Sequence, residues 1–141
     1  MKPRIVVIDD DADVRLILEV RLHRAGFDVL TAAAGKSGME LVKSHHPDLV
    51  LVDLSMPGMS GFEFVCAVRK CQHAPRIYVM TDRADDQSQA DVARSLGAEG
   101  LISKKEALAR EFCVSLFGPS SSGEDRLRNR TSRHGEPALA A

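Results

Sequence analysis

LVLVDLSMPGMSG, residues 49–61, is the most telling stretch of this chain. Leu49 to Val52 is an apolar run without alternation, the pattern of a strand covered on both faces. A single carboxylate, Asp53, closes the run. Pro57, Gly58 and Gly61 then mark a loop before a new apolar pattern begins. A carboxylate at the C-terminal end of a buried strand sits where open α/β sheets hold their ligands. Upstream, Arg4 to Ile8 runs straight into Asp9, Asp10 and Asp11. Two strands thus deliver acids to one sheet edge, which suggests a single acidic pocket.

Strands and helices alternate on either side of this stretch. The pattern predicts a strand over about Arg4–Asp9 and a helix over Ala12–Ala25, with Val14, Ile17, Leu18 and Leu22 on one face and Gly26 as its stop. A strand over Phe27–Ala32 and a short helix over Lys36–Ser44 come next. Pro47 precedes the Leu49–Asp53 strand. A helix over Phe62–Lys70, a strand over Arg76–Met80 ending at Thr81, and a polar helix over Gln87–Leu96 complete the middle of the chain. Leu101–Ser103 reads as a short fifth strand and Lys105–Phe117 as the last helix. Such alternation implies a parallel sheet with helices on both faces. For five strands the expected architecture is α/β, flavodoxin-like and doubly wound, with order 2-1-3-4-5. Strands one and three are then neighbours, and Asp9, Asp10 and Asp53 meet.

Residues 1–117 are expected to form one domain. Residues 118–141 are rich in Gly, Ser, Pro and charge, and are expected to be a disordered tail, locally basic through Arg126, Arg128, Arg130 and Arg133. The formal net charge of −1 argues against a broad nucleic-acid footprint. No apolar run approaches the ~18 residues that would span a membrane, and the N-terminus has no signal-peptide pattern. A cytoplasmic location is the expectation. Cys66, Cys71 and Cys113 form no CxxC pair and read as free thiols, with Cys66 buried on its helix.

Clustered carboxylates repel one another unless a cation joins them. Oxygen ligands without His or Cys favour Mg²⁺, or Mn²⁺, over zinc. Thr81 and Lys104 end strands four and five, at the same edge as the acids. A hydroxyl and an ammonium there can hold phosphoryl oxygens. Carboxylate nucleophile, metal, hydroxyl and fixed cation are the parts that in-line phosphoryl transfer needs.

The chain resembles the receiver domain of two-component response regulators. The resemblance rests on IVVIDDDADVR (5–15), PDLVLVDLSMPGMSGFE (47–63), IYVMT (77–81) and GAEGLISK (97–104), in order and at receiver spacing. It implies that Asp53 is the phosphoacceptor, with Thr81 and Lys104 as phosphate contacts and switch residues. Asp9 and Asp10 are the implied acidic pair. Asp10, Asp53 and the backbone carbonyl of Ser55 are the implied Mg²⁺ ligands. The implied partners are a sensor histidine kinase or histidine phosphotransfer protein and a downstream protein target, with homodimerisation left open. Asp11 and Asp13 read as helix-capping and surface acids.

Three positions depart from the family pattern, and a fourth lies where receivers tune the lifetime of the phosphoryl group. Lys105 stands where proline usually follows the pocket lysine. Leu101 replaces the rotating aromatic that partners the pocket hydroxyl. Asp82 follows Thr81 where a small residue is common. Arg83 can shield a phosphoryl group or pair with Asp82. The expected function is a stand-alone response regulator that is not an enzyme beyond phosphorylating and dephosphorylating itself. It would signal through helix four, strand five and helix five. The alternatives are a degenerate receiver that binds partners without phosphorylation, and a D-x-D phosphatase built on Asp9 and Asp11.

Overall fold

The computed structural model describes residues 2–83, 85–108 and 110–117, so the expected tail at 118–141 lies outside the described residues. Strand β1 (Arg4–Ile8) leads to helix α1 (Ala12–Arg24), β2 (Asp28–Ala32) to α2 (Gly35–His45), and β3 (Leu49–Asp53) to α3 (Gly61–Arg69). Strand β4 (Arg76–Thr81) leads to α4 (Gln87–Ser95), and β5 (Gly100–Ser103) to α5 (Lys104–Leu108) and α6 (Arg110–Phe117). The expected last helix corresponds to α5 and α6, on either side of residue 109, which is outside the described residues. All pairings are parallel and the strand order is β2-β1-β3-β4-β5, as the alternation predicts.

The sheet splits the apolar residues into two cores by strand periodicity. Val6, Ile8, Val50, Val52, Ile77 and Val79 face Val42 of α2, Phe64, Val65 and Val68 of α3, and Ala93 of α4. Ile5, Val7, Leu49, Leu51, Met80 and Ile102 face Leu18 and Leu22 of α1, Ala107 of α5 and Phe117 of α6. Every residue of β3 is buried, which is why the strand that carries Asp53 reads as continuous apolar sequence. Each large side chain hidden this way contributes about 1.5–3 kcal/mol relative to exposure.

Helix α1 corrects the expected apolar face. Leu18 and Leu22 are buried and Val14 packs against them, but Ile17 is 41% exposed, beside Leu16 at 59% and Val20 at 40%. The buried residues recur every four positions and so line one stripe; Ile17 falls off that stripe. Gly26 does stop the helix, with φ of 99°, a conformation that costs glycine little. Cys66, expected to be buried, is exposed on α3.

Candidate functional site

Register brings the ends of four strands to one edge. Ile8 pairs with Val52, Asp53 with Met80, and Thr81 with Ser103. Asp9 and Asp10 follow β1 and Lys104 follows β5 directly, so Asp9, Asp10, Asp53, Thr81 and Lys104 converge although up to about a hundred residues separate them. Asp10, Asp11, Asp53, Ser55, Thr81, Asp82 and Lys104 line one cleft of about 430 Å³.

Lys104 sits at the centre of the charge. Its Nζ lies 3.1 Å from Asp9 Oδ2, 3.6 Å from Asp53 Oδ1 and 3.9 Å from Asp82 Oδ1. Burial lowers the affinity of the ammonium for its proton, but the adjacent Asp9 carboxylate, then the charges of Asp53 and Asp82, outweigh that effect and hold its pKa above the ordinary value. Asp53 is also shifted upward, which for a carboxylic acid disfavours the charged form. Burial first, then the charge of Asp9, raises it from 3.8 to about 6 against the pull of Lys104 and of the Ser55 N–H. At pH 7 Asp53 is still mostly ionised.

The loops that present these groups are built locally. After β1, Asp9 Oδ1 accepts a hydrogen bond from the Asp11 N–H at 2.9 Å, and Arg15 Nη1 donates to the Asp9 carbonyl at 2.7 Å. Asp11 also caps α1, accepting from the N–H groups of Asp13 and Val14. Arg15 was not among the expected site residues; its place one helical turn after the acidic run is the only hint of it in the sequence. After β3, the Ser55 N–H approaches Asp53 Oδ1 at 3.4 Å, and Gly61 N donates to Leu54 O at 2.9 Å. A Cβ at Gly61 would lie 2.6 Å from the Asp53 carbonyl oxygen. Glycine is needed there for close approach. Ser60 and Glu63 close a capping box on α3 and fix the far end of the loop.

Each of these positions, Lys105, Leu101, Asp82 and Arg83, has a place in the structure. Ser103 and Glu106 form reciprocal hydrogen bonds, Glu106 N to Ser103 Oγ at 3.0 Å and Ser103 N to Glu106 Oε1 at 3.1 Å. A capping box thus carries β5 straight into α5 where the family pattern has proline. The S-x-x-E signal for it is visible in the sequence at 103–106. Lys105 is exposed and is not among the residues lining the cleft. Leu101 is half-buried against the Val79 and Ala93 core. Arg83 turns to Asp85, at 3.4 Å, rather than to Asp82.

The donor set fits a hard divalent cation. Asp9, Asp10 and Asp53 each offer a carboxylate oxygen, and these oxygens all lie within 4.8 Å of one another. Asp9 Oδ2 is buried, and Lys104 Nζ at 3.1 Å is its partner among the described residues. An oxygen so placed, facing one ammonium and two more acids, suits an ion with oxygen ligands. Ser55 lines the same cleft.

A model of the response regulator receiver domain matches residues 5–111. The chain belongs to the response regulator receiver domain family. Among relatives, a probable transcriptional regulator ycf27 of Porphyridium aerugineum is 39% identical over 132 residues, which cover 91% of this chain and 54% of that protein. The transcriptional regulatory protein AfsQ1 of Streptomyces coelicolor is 39% identical over 84 residues, 60% of this chain and 37% of that protein. This receiver therefore spans about half the length, or less, of the curated relatives it matches. Its fold is similar to that of the chemotaxis protein CheY4 of Vibrio cholerae, with a TM-score of 0.73 at 27% identity over 81% of this chain and 94% of that one. The receiver domain of the response regulator NarL from Mycobacterium tuberculosis gives 0.72 at 29% identity over 86% and 98%. Receiver domains are signalling modules of two-component systems; they take up a phosphoryl group on an aspartate and bind Mg²⁺ in their acidic pocket. No helix among the described residues is long and apolar enough to cross a membrane.

Proposed function

We propose that this receiver accepts a phosphoryl group on Asp53 from a histidine kinase or histidine phosphotransfer protein and passes the signal to a protein partner. The observation that carries the reading is the placement of Asp53 at the end of a wholly buried strand, with Lys104 Nζ 3.6 Å from its Oδ1 and Asp9 and Asp10 beside it. Asp53, ionised at neutral pH, attacks phosphorus through a carboxylate oxygen as the donor's leaving atom departs with the bonding pair. Lys104 stabilises the charge on the phosphoryl oxygens. Asp9, Asp10, Asp53 and the Ser55 carbonyl would hold Mg²⁺, which when bound neutralises the carboxylates and the incoming oxygens. Thr81 then donates its hydroxyl to a phosphoryl oxygen and draws the loop that follows β4 toward the site. That movement biases the face of α4, β5 and the final helical segments α5 and α6 between two states.

Exposure of α1 supports a docking surface for the phosphoryl donor there. Leu16, Ile17 and Val20 form an apolar patch on α1, whereas Val92 is the one large hydrophobic exposed on α4 among the described residues. The α1 patch suits a protein that presents the phosphoryl donor. A cytoplasmic setting accords with such partners. Incubation with acetyl phosphate and Mg²⁺ should add one phosphoryl group by intact mass, and Asp53→Asn should abolish it. Equal uptake by Asp53→Asn overturns the assignment. No uptake by either protein, with partner binding intact, favours the phosphorylation-independent module that Leu101, half-buried against the core, would permit.

A further inference from the structure

Asp82 stands at the mouth of the cleft as the third carboxylate around a single ammonium, Lys104. Its side chain is 90% exposed, yet its Oδ1 lies 3.9 Å from Lys104 Nζ, and it lines the same cleft as Asp53. The neighbouring Arg83 pairs with Asp85 at 3.4 Å and so does not neutralise it. Lys104 already faces Asp9 at 3.1 Å and Asp53 at 3.6 Å. An incoming phosphoryl donor therefore passes a carboxylate before it reaches the ammonium that will hold it.

We propose that Asp82 selects the phosphoryl donor, favouring groups carried on a protonated nitrogen over anionic acyl phosphates. This rests on Asp53 being the phosphoacceptor. In both reactions an Asp53 oxygen forms the new bond to phosphorus. With phosphoramidate the P–N bond breaks, the pair goes to nitrogen, and that nitrogen, already protonated, leaves as neutral ammonia. With acetyl phosphate the P–O bond breaks and acetate leaves with its negative charge. The protonated nitrogen offsets part of the donor's negative charge and can lie against Asp82. The acyl phosphate has no such group, and its leaving carboxylate departs past the Asp82 carboxylate. A phosphorylated imidazole shares the P–N bond, so the same residue favours protein histidine donors over metabolic acyl phosphates.

The experiment measures phosphorylation rates with Mg²⁺ from phosphoramidate and from acetyl phosphate at equal ionic strength, for wild type, Asp82→Asn, Asp82→Glu and Asp53→Asn. Asp82→Asn should raise the acetyl phosphate rate about fivefold relative to the phosphoramidate rate, the effect of one unit charge roughly 6 Å away in a solvent-rich rim. Asp82→Glu should keep the wild-type ratio. The difference between wild type and Asp82→Asn should shrink as salt is added. A merely structural role for Asp82 would move both donors together. An unchanged ratio in Asp82→Asn, or a shift toward phosphoramidate, overturns donor selection while Asp53-dependent labelling keeps the phosphoacceptor reading intact. Labelling that persists in Asp53→Asn, or that fails in wild type with both donors, overturns the phosphoacceptor reading and this inference with it.

Discussion

Replacing Asp53 by asparagine is expected to stabilise the metal-free protein at pH 7. The Asp53 carboxyl is raised from 3.8 to about 6, by burial first and then by the charge of Asp9. The native state thus binds this proton more tightly than the unfolded chain does. The stability that follows is fully present below about pH 3.8 and is lost as pH rises through about 6. At pH 7 the native protein holds a carboxylate that is better solvated when unfolded. A shift of that size sets a ceiling of about 3 kcal/mol. Water in the open cleft screens the charge, and about 1–2 kcal/mol is the expected gain on removing it. The amide has nearly the carboxylate's shape and keeps an oxygen for the Ser55 N–H. Urea unfolding with a chelator present, at pH 7 and again near pH 4, measures it. The variant's midpoint should be higher at pH 7 with an unchanged m-value, and the gap should close near pH 4. A variant equal to or weaker than wild type at pH 7, or a gap that does not shrink in acid, refutes the reasoning.

Three further outcomes are expected. Gly61→Ala should cost about 2–4 kcal/mol in thermal or chemical unfolding, because its methyl would meet the Asp53 carbonyl oxygen at 2.6 Å, and it should slow phosphoryl uptake by shifting β3's end. Ser103→Ala should cost about 1 kcal/mol in the same assay by opening the capping box on α5. Ile17→Glu, on the exposed patch of α1, should change stability by under about 0.5 kcal/mol and leave acetyl phosphate labelling unaltered, yet slow transfer from a phosphorylated protein donor at least severalfold.

Much of the site was legible because its groups punctuate strands. Asp53 ends an apolar run, Asp9 and Asp10 follow one, and Thr81 and Lys104 close two more. A parallel sheet then forces these ends to one edge, whatever lies between them. The same logic gave the strand order, since alternating strands and helices leave few connections open. What the pattern hid concerns side-chain direction. Ile17 shares the composition of the α1 face but not its stripe. Cys66 follows two buried residues, Phe64 and Val65, and still points outward. Arg15 reaches back to the Asp9 carbonyl, a contact that depends on how α1 leaves the sheet. Asp82 and Arg83 are adjacent in sequence, and only their loop decides that one faces Lys104 and the other Asp85.

The chain's local patterns were enough to specify which segments are strands, how they order, and which polar groups gather at the sheet edge. Backbone hydrogen bonding and burial of apolar runs act over a few residues, and their consequences can be read along the chain. The charge state of Asp53 and the sharing of Lys104 among three carboxylates arose only in the folded molecule. Both depend on distances of a few ångströms between residues far apart in sequence, and on how little water lies between them. Electrostatic energies change steeply with just those two quantities.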